Sequence, residues 1–129
     1  MIVHSSALLA ILLDEPCADI MLTALLDAER PAMAATDWLN VAMLMEEKGG
    51  RLASLKFDEF FRTSEIEIAP VDQAQAEIAR NAWRHFGRHR HSARLEYGDC
   101  LAYALAKTRG EPLLYAEPGF TRTDILAAV

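Results

Sequence analysis

The chain has 129 residues, 52% of them apolar, and a net charge of −6 at pH 7. That length fits one domain with a real core, and the apolar content with mixed charge excludes a disordered chain. The acidic total disfavours nonspecific nucleic-acid binding, yet the charge is uneven. Residues 1–79 hold 14 acids and 5 bases, whereas residues 80–129 hold 5 acids and 8 bases, so a locally basic face can still meet phosphates. The opening apolar run over residues 2–13 is too short for a membrane span and lacks a basic leader. A soluble, cytoplasmic protein with no membrane partner is therefore expected. Cys17 and Cys100 make no metal pattern and no disulfide framework, and read as buried thiols.

Met1, Ile2 and Val3 form a short β-type run. Ser5 or Ser6 is expected to cap the helix that follows, with Leu8, Leu9, Leu12 and Leu13 on its apolar side. Asp14, Glu15 and Pro16 break it, and a second helix covers about residues 17–29, with Ile20, Leu22, Leu25 and Leu26 as candidate core. Arg30-Pro31 ends that helix. Residues 32–35 read as a short strand, because a Thr36 or Asp37 cap starts another helix straight after. That helix runs to Lys48 and stops at Gly49-Gly50. Another follows over about residues 51–63. Branched residues and alternation mark residues 66–71 as a strand, and Asp72 caps a helix through Phe86. Residues 87–94 are a basic loop, residues 98–108 a helix closed by Gly110, and residues 112–115 a buried strand. Strands separated by helices indicate a central parallel sheet covered on both faces. The expected fold is a three-layer α/β/α sandwich in a single domain over residues 1–129.

Residues 95–124 carry the most information. They read as a helix with Asp99 at its start, a glycine stop, a short strand, and an irregular loop. In parallel α/β folds such loops, at the carboxyl ends of strands, are where sites are built. A carboxylate at a helix N-terminus is also favoured by the helix dipole alone, by about 0.3–1 kcal/mol. Arg80, Arg84 and Arg88 recur at helical spacing and make one basic stripe if the helix continues, with Arg90 and Arg94 beyond. Such a stretch is able to follow a nucleic-acid backbone, with Trp83 and Phe86 near for stacking. The alternative is a solvated face with both aromatics in the core. Trp38, Val41, Ala42 and Met45 form a helical stripe better explained by core or dimer packing than by a cofactor.

The element order and several strings resemble the PIN domain, specifically the VapC-type toxins of bacterial toxin–antitoxin pairs. The strings are Met1-Ile2-Val3-His4-Ser5-Ser6-Ala7-Leu8-Leu9, Gly98-Asp99-Cys100 with Tyr103-Ala104-Leu105-Ala106, Gly110-Glu111-Pro112-Leu113-Leu114-Tyr115, and Phe120-Thr121-Arg122-Thr123-Asp124-Ile125. The resemblance covers essentially the whole chain. It implies metal-dependent endonucleolytic cleavage of RNA by a carboxylate cluster at the C-terminal edge of the sheet. Mg²⁺ or Mn²⁺ held there activates a water and neutralises charge on the scissile phosphate. It also implies a homodimer and a VapB-like antitoxin partner.

Carried over by position, the first family acid falls on His4, the second on Asn40, the third on Asp99 and the fourth on Gly119. One acid of four is retained. Asp99 with His4 and Asn40 is thus the expected catalytic set, with Asp99 and His4 as metal ligands. Asp37 and Glu117 are possible substitutes, and Glu96 and Asp124 lie near. A nitrogen ligand at His4 tilts such a site from Mg²⁺ toward Mn²⁺, Zn²⁺ or Ni²⁺; otherwise His4 is a hydrogen-bonded residue at a strand end. Arg84, Arg88 and Arg90 are the expected RNA-binding residues. Two functions follow: a VapC-like endoribonuclease with an altered site, or a pseudo-nuclease that binds antitoxin, homologue or RNA without cutting. A small-molecule enzyme has no supporting motif.

Overall fold

A computed structural model describes residues 1–129. Four strands, β1 (Ile2–Val3), β2 (Ala32–Ala34), β3 (Glu67–Ala69) and β4 (Leu113–Leu114), form one sheet in the order β3-β2-β1-β4. Every pairing is parallel. Five helices connect them: α1 (Ser5–Leu12), α2 (Ala18–Asp27), α3 (Ala35–Ser64), α4 (Gln73–Phe86) and α5 (Tyr97–Arg109). A 3-10 turn over Pro118–Arg122 follows β4.

The two-residue period of a strand sorts the sheet's side chains onto two faces. Ile2, Ala32, Ala34 and Leu113 join one buried cluster with the apolar residues of α4 and α5. Val3, Met33 and Leu114 join the other, with α1, α2 and α3. These are the three layers expected. Alanine dominates the α5 side of the sheet at Ala32, Ala34 and Ala69, and α5 answers with Ala102, Ala104 and Ala106. Small residues on both surfaces let a helix lie close against strands. As a result every residue from Cys100 to Ala106 is buried.

Local structure departs from the sequence reading in several places; α3, for one, starts at Ala35 after Ala34 with no side-chain cap, rather than at a Thr36 or Asp37 cap. His4, rather than Ser5 or Ser6, caps α1, accepting from the Ser6 N–H. On α2 the buried positions are Ala18, Met21 and Leu25; Ile20 and Leu26 lie on the opposite side and are exposed. The helices expected on either side of Gly49-Gly50 form one helical run, but it kinks at Gly50, whose φ of 62° and ψ of −144° are not helical. The break was legible because only glycine adopts that conformation without strain. Finally, α4 ends at Phe86 and Gly87 is extended, so Arg80, Arg84 and Arg88 do not form one continuous helical stripe. The expected Asp72 cap is present, accepting from the Gln75 N–H, and Gly110 closes α5 in the left-handed conformation. The stripe of Trp38, Val41, Ala42 and Met45 packs into the core.

Replacing Gly50 by alanine is expected to cost about 1–3 kcal/mol of stability. Gly98→Ala, in α5, meets nothing within 4 Å and should stabilise by roughly 0.5–1 kcal/mol. Urea denaturation of the two variants checks the contrast.

Candidate functional site

The strand order places β1 between β2 and β4: the chain leaves β1 toward β2 on one side, and the connection from β3 crosses back to β4 on the other. The crevice at the carboxyl ends of β1 and β4 is the switch point where parallel α/β sheets bind ligands. His4 follows β1, Asp37 sits in the first turn of α3 after β2, Asp99 in the first turn of α5, and Glu117 after β4. Four elements thus deliver four polar side chains to one edge.

His4 is at the centre, and its ring is buried. Its Nε2 lies 2.8 Å from Asp99 Oδ1 and 3.9 Å from Asp37 Oδ1. Its Nδ1 lies 3.1 Å from the Ser6 N–H nitrogen and 2.8 Å from Ser6 Oγ. Phe120 packs against the ring edge-on, 4.9 Å between centroids. The Ser6 hydroxyl oxygen accepts from the backbone N–H of Ala116 and Glu117, at 2.9 and 3.0 Å. With those acceptor sites filled, its own hydrogen is left for His4 Nδ1. The network therefore puts the ring proton on Nε2, which donates to Asp99. The second Asp99 oxygen, Oδ2, accepts from the Glu96 N–H at 2.9 Å.

Asp37 is 1% exposed. Its Oδ1 accepts from the Ser5 N–H at 3.2 Å, and its Oδ2 has no partner. Burial raises the Asp37 pKa above its ordinary value, partly offset by His4 and Ser5. Burial works to lower the His4 pKa, but the hydrogen bond to Asp99 and the charges of Asp37, Asp99 and Glu117 outweigh it, and the net shift is upward.

The structure brings together His4, Asp99 and Asp37. Asn40 does not touch them; it is exposed and lines a cleft on one side of Asp99, with Thr36, Leu39, Met43, Arg80, Trp83, Arg88 and Tyr97. Glu117 and Gly119 line a second cleft on the other side, with Ser6, Arg94 and Arg122. Glu117 is occupied as the cap of the 3-10 turn, accepting from the Gly119 N–H. A Cβ built on Gly119 overlaps the Ala93 carbonyl oxygen, so that position is closed to side chains. Asp124 ties the C-terminal segment to α5, accepting from Tyr103 and Lys107 at 2.7 Å each. Glu96 caps α5 and pairs with Arg88 at 3.6 Å. No group of three or more His, Cys, Asp or Glu side chains is placed to hold a metal ion.

Among the arginines, Arg88 reaches the first cleft together with Arg80, whereas Arg84 and Arg90 line neither cleft. Trp83 stacks on His89 at 4.6 Å and packs on the core, and Phe86 also packs there. Tyr97, 77% exposed, is the aromatic side chain left open to solvent beside the first cleft. Sequence reasoning missed Tyr97 and Arg122 because neither lies in the basic stretch; both come to the edge through tertiary structure.

The chain matches the PIN domain over residues 1–126. It is 39% identical over 127 residues to a ribonuclease VapC of Mycolicibacterium smegmatis, covering 98% of each chain. It is 38% identical over 130 residues to ribonuclease VapC28 of Mycobacterium tuberculosis, covering 100% of this chain and 98% of that one. Its fold is similar to the crystal structure of Mycobacterium tuberculosis VapC20, a toxin that cleaves the sarcin–ricin loop. The TM-score is 0.73 with 13% identity, over 97% of this chain and 95% of that one. No helix is long and apolar enough to cross a membrane.

Ser6→Ala leaves the Ala116 and Glu117 N–H groups without their acceptor and removes the hydroxyl donor to His4 Nδ1, which keeps the backbone N–H of residue 6. It should cost about 1–3 kcal/mol, with faster amide hydrogen exchange at Ala116 and Glu117. A second expectation concerns pH. A histidine whose folded pKa is raised contributes stability that is fully present below its ordinary value of 6.5 and is lost as pH rises through the folded pKa. The raised Asp37 pKa acts in the same sense, because the folded state holds its proton more tightly, but its window begins lower, at the ordinary value of 3.8. Unfolding free energy should therefore fall as pH rises above 6.5, and His4→Asn should flatten that fall in denaturation curves taken across this range.

Proposed function

This chain belongs to the PIN-domain family, among its VapC-type members, and on that premise we propose that it is a toxin-type protein acting on RNA, with phosphodiester cleavage strongly attenuated. The observation that carries the reading is the meeting of His4, Asp99 and Asp37 at the carboxyl edge of the sheet, between two clefts that both carry arginine. Arg80 and Arg88 line one, Arg94 and Arg122 the other.

An RNA strand laid across this edge meets guanidinium groups on both sides of Asp99. They neutralise phosphates without reading sequence, and Tyr97 offers a face to an unpaired base. In a carboxylate nuclease a divalent ion activates water and takes up charge on the scissile phosphate. Three of the four positions that the family resemblance makes acidic are His4, Asn40 and Gly119 here. Loss of even outer-shell partners costs metal sites about 10–100-fold, so three replaced positions account for a large loss of rate.

A second reading, binding without cutting, is favoured by one observation: both oxygens of Asp99 already accept hydrogen bonds from within the chain. Family membership also brings a VapB-like antitoxin and a second copy of the chain as proposed partners, in the cytoplasm. Exposed Ile20, Leu26, Leu39, Met43, Leu52 and Leu55 provide apolar surface for partners to cover.

Labelled structured RNA incubated with the purified protein in Mg²⁺ or Mn²⁺ should be cut at least about a hundredfold more slowly than by the Mycolicibacterium smegmatis relative. Asp99→Ala should remove what cleavage there is. Arg80→Glu with Arg88→Glu should weaken RNA affinity and reduce its salt dependence, measured by fluorescence anisotropy. Cleavage unchanged in Asp99→Ala would place the activity elsewhere, and RNA affinity indifferent to both arginines would remove the RNA reading.

A further inference from the structure

We propose that His4 stands in for the divalent cation of a carboxylate nuclease site, so that this chain binds neither Mg²⁺ nor Mn²⁺ beside Asp99. The inference rests on reading the Asp99 edge as the family's site. It says why that site is attenuated: the cation's place is filled by a ring from the chain itself.

The argument starts from where the ring proton lies. Nδ1 faces two donors, the Ser6 N–H and the Ser6 hydroxyl, so the proton is on Nε2. This is the neutral ring; an imidazolium would keep the Nε2 proton and add one on Nδ1, facing the Ser6 donors. Nε2 therefore has no lone pair to give an ion; it presents an N–H to Asp99 at 2.8 Å and faces Asp37 at 3.9 Å. To free Nε2 as a ligand, the proton must move to Nδ1. It would then point at the Ser6 N–H, while bare Nε2 would face a carboxylate oxygen at hydrogen-bond distance. Both contacts become repulsive.

The other positions do not compensate. Asp99 Oδ2 is engaged by the Glu96 N–H. Gly119 cannot carry a side chain, because the Ala93 carbonyl occupies the space. Asp37 Oδ2 is the carboxylate oxygen with no partner, but it is sealed in the core, behind an oxygen already held by Ser5. Magnesium keeps several waters but binds through one or two carboxylate oxygens at about 2.0–2.1 Å; here Asp37 Oδ2 is closed off from water and both Asp99 oxygens are held by donors of the chain. The residues present do not fit the ion.

What they fit is a hydrogen-bonded lock. The ring joins the end of β1 to the start of α5, and Ser6 extends the connection to the segment after β4. This is the chemistry of a proton beside acids: the imidazole N–H is bonded to Asp99 and faces Asp37, in the place a metal would otherwise take.

The experiment is Mn²⁺ titration of the full chain, read by the paramagnetic resonance of free Mn²⁺ and by thermal denaturation. The wild type should leave the free-ion signal unchanged at millimolar Mn²⁺ and show no shift in Tm. His4→Asp, which removes the N–H donor and adds an acid, should bind Mn²⁺ at least tenfold more tightly and gain Tm with the metal. Adding Asp99→Asn should abolish that gain. One-to-one Mn²⁺ binding by the wild type, lost in Asp99→Asn, would overturn the inference. So would a folded His4→Asp variant that gains no affinity. If His4→Asp does not fold, the imidazole nitrogen-15 shifts of the wild type decide. They should show Nε2 protonated and remain unmoved by Mg²⁺; a metal-dependent shift at His4 overturns the inference. RNA affinity measured in EDTA separates the two proposals: its absence would count against the RNA reading and leave the Mn²⁺ result standing.

Discussion

The hydrogen bond from His4 to Asp99 organises the edge of this sheet. It spans 95 residues of sequence and joins the first strand to the helix that precedes the last. Its partners are themselves fixed: His4 by Ser6 and by the edge-on Phe120, and Asp99 by the Glu96 N–H at the start of α5. A charge-assisted bond of this kind is roughly twice as strong as a neutral one, yet burying its members has a desolvation cost that can exceed the gain. The raised pKa of His4 is the outcome of that contest, with the acids outweighing burial. The neighbouring acid, Asp37, shows the opposite outcome: burial prevails and its carboxyl is pushed toward the neutral form. Burial and the neighbouring charges thus act in opposite senses on both groups, and a different one prevails at each.

That edge depends on how closely α5 approaches the sheet. Alanines on β2, β3 and α5 bring helix and strands together, which carries Asp99, in the first turn of α5, up to the end of β1. Bulkier residues at Ala32, Ala34 or Ala104 would have to lift α5 away, and a shift of a few tenths of an ångström is felt in a close-packed interior. The alanine surface and the polar contact are therefore one design. Packing sets the distance at which the imidazole N–H meets its carboxylate.

Much of this was legible in the sequence. Strands and helices alternate clearly, Asp72 and Gly110 mark their helix ends, and glycine at position 50 marks the kink. Those signals are local: a cap, a left-handed stop, a conformation that only glycine adopts cheaply. The errors came where local signals compete with tertiary ones. Serine is the better general cap, but the His4 side chain reaches the Ser6 N–H because the same ring is held by Asp99 from far along the chain. Ile20 and Leu26 were misplaced because leucine and isoleucine occur on several sides of α2, and only packing reveals which side is covered. In the basic stretch, spacing suggested a stripe, but the helix ends at Phe86 and the chain's turn brings Arg88 to the cleft without Arg84. The juxtaposition of Asp37 with His4 had no sequence signal beyond nearness to Asn40, since it requires β1 and β2 to be neighbours.

The non-acidic positions differ in kind, and the difference bears on what the site is for. Asn40 is exposed beside a cleft and touches nothing in the His4 network; an acid could stand there without disturbing its neighbours. His4 and Gly119 are different. His4 is bonded through both ring nitrogens, and the space above Gly119 is filled by the Ala93 carbonyl. An edge that had only lost its acids would be left with unpaired donors and open space where side chains had been. Here those two positions instead take part in hydrogen bonding and packing that an acid would break. The edge is built around their present residues, so its present role is to be sought in what it binds across the two arginine-lined clefts, with the His4–Asp99 pair as the rigid floor between them.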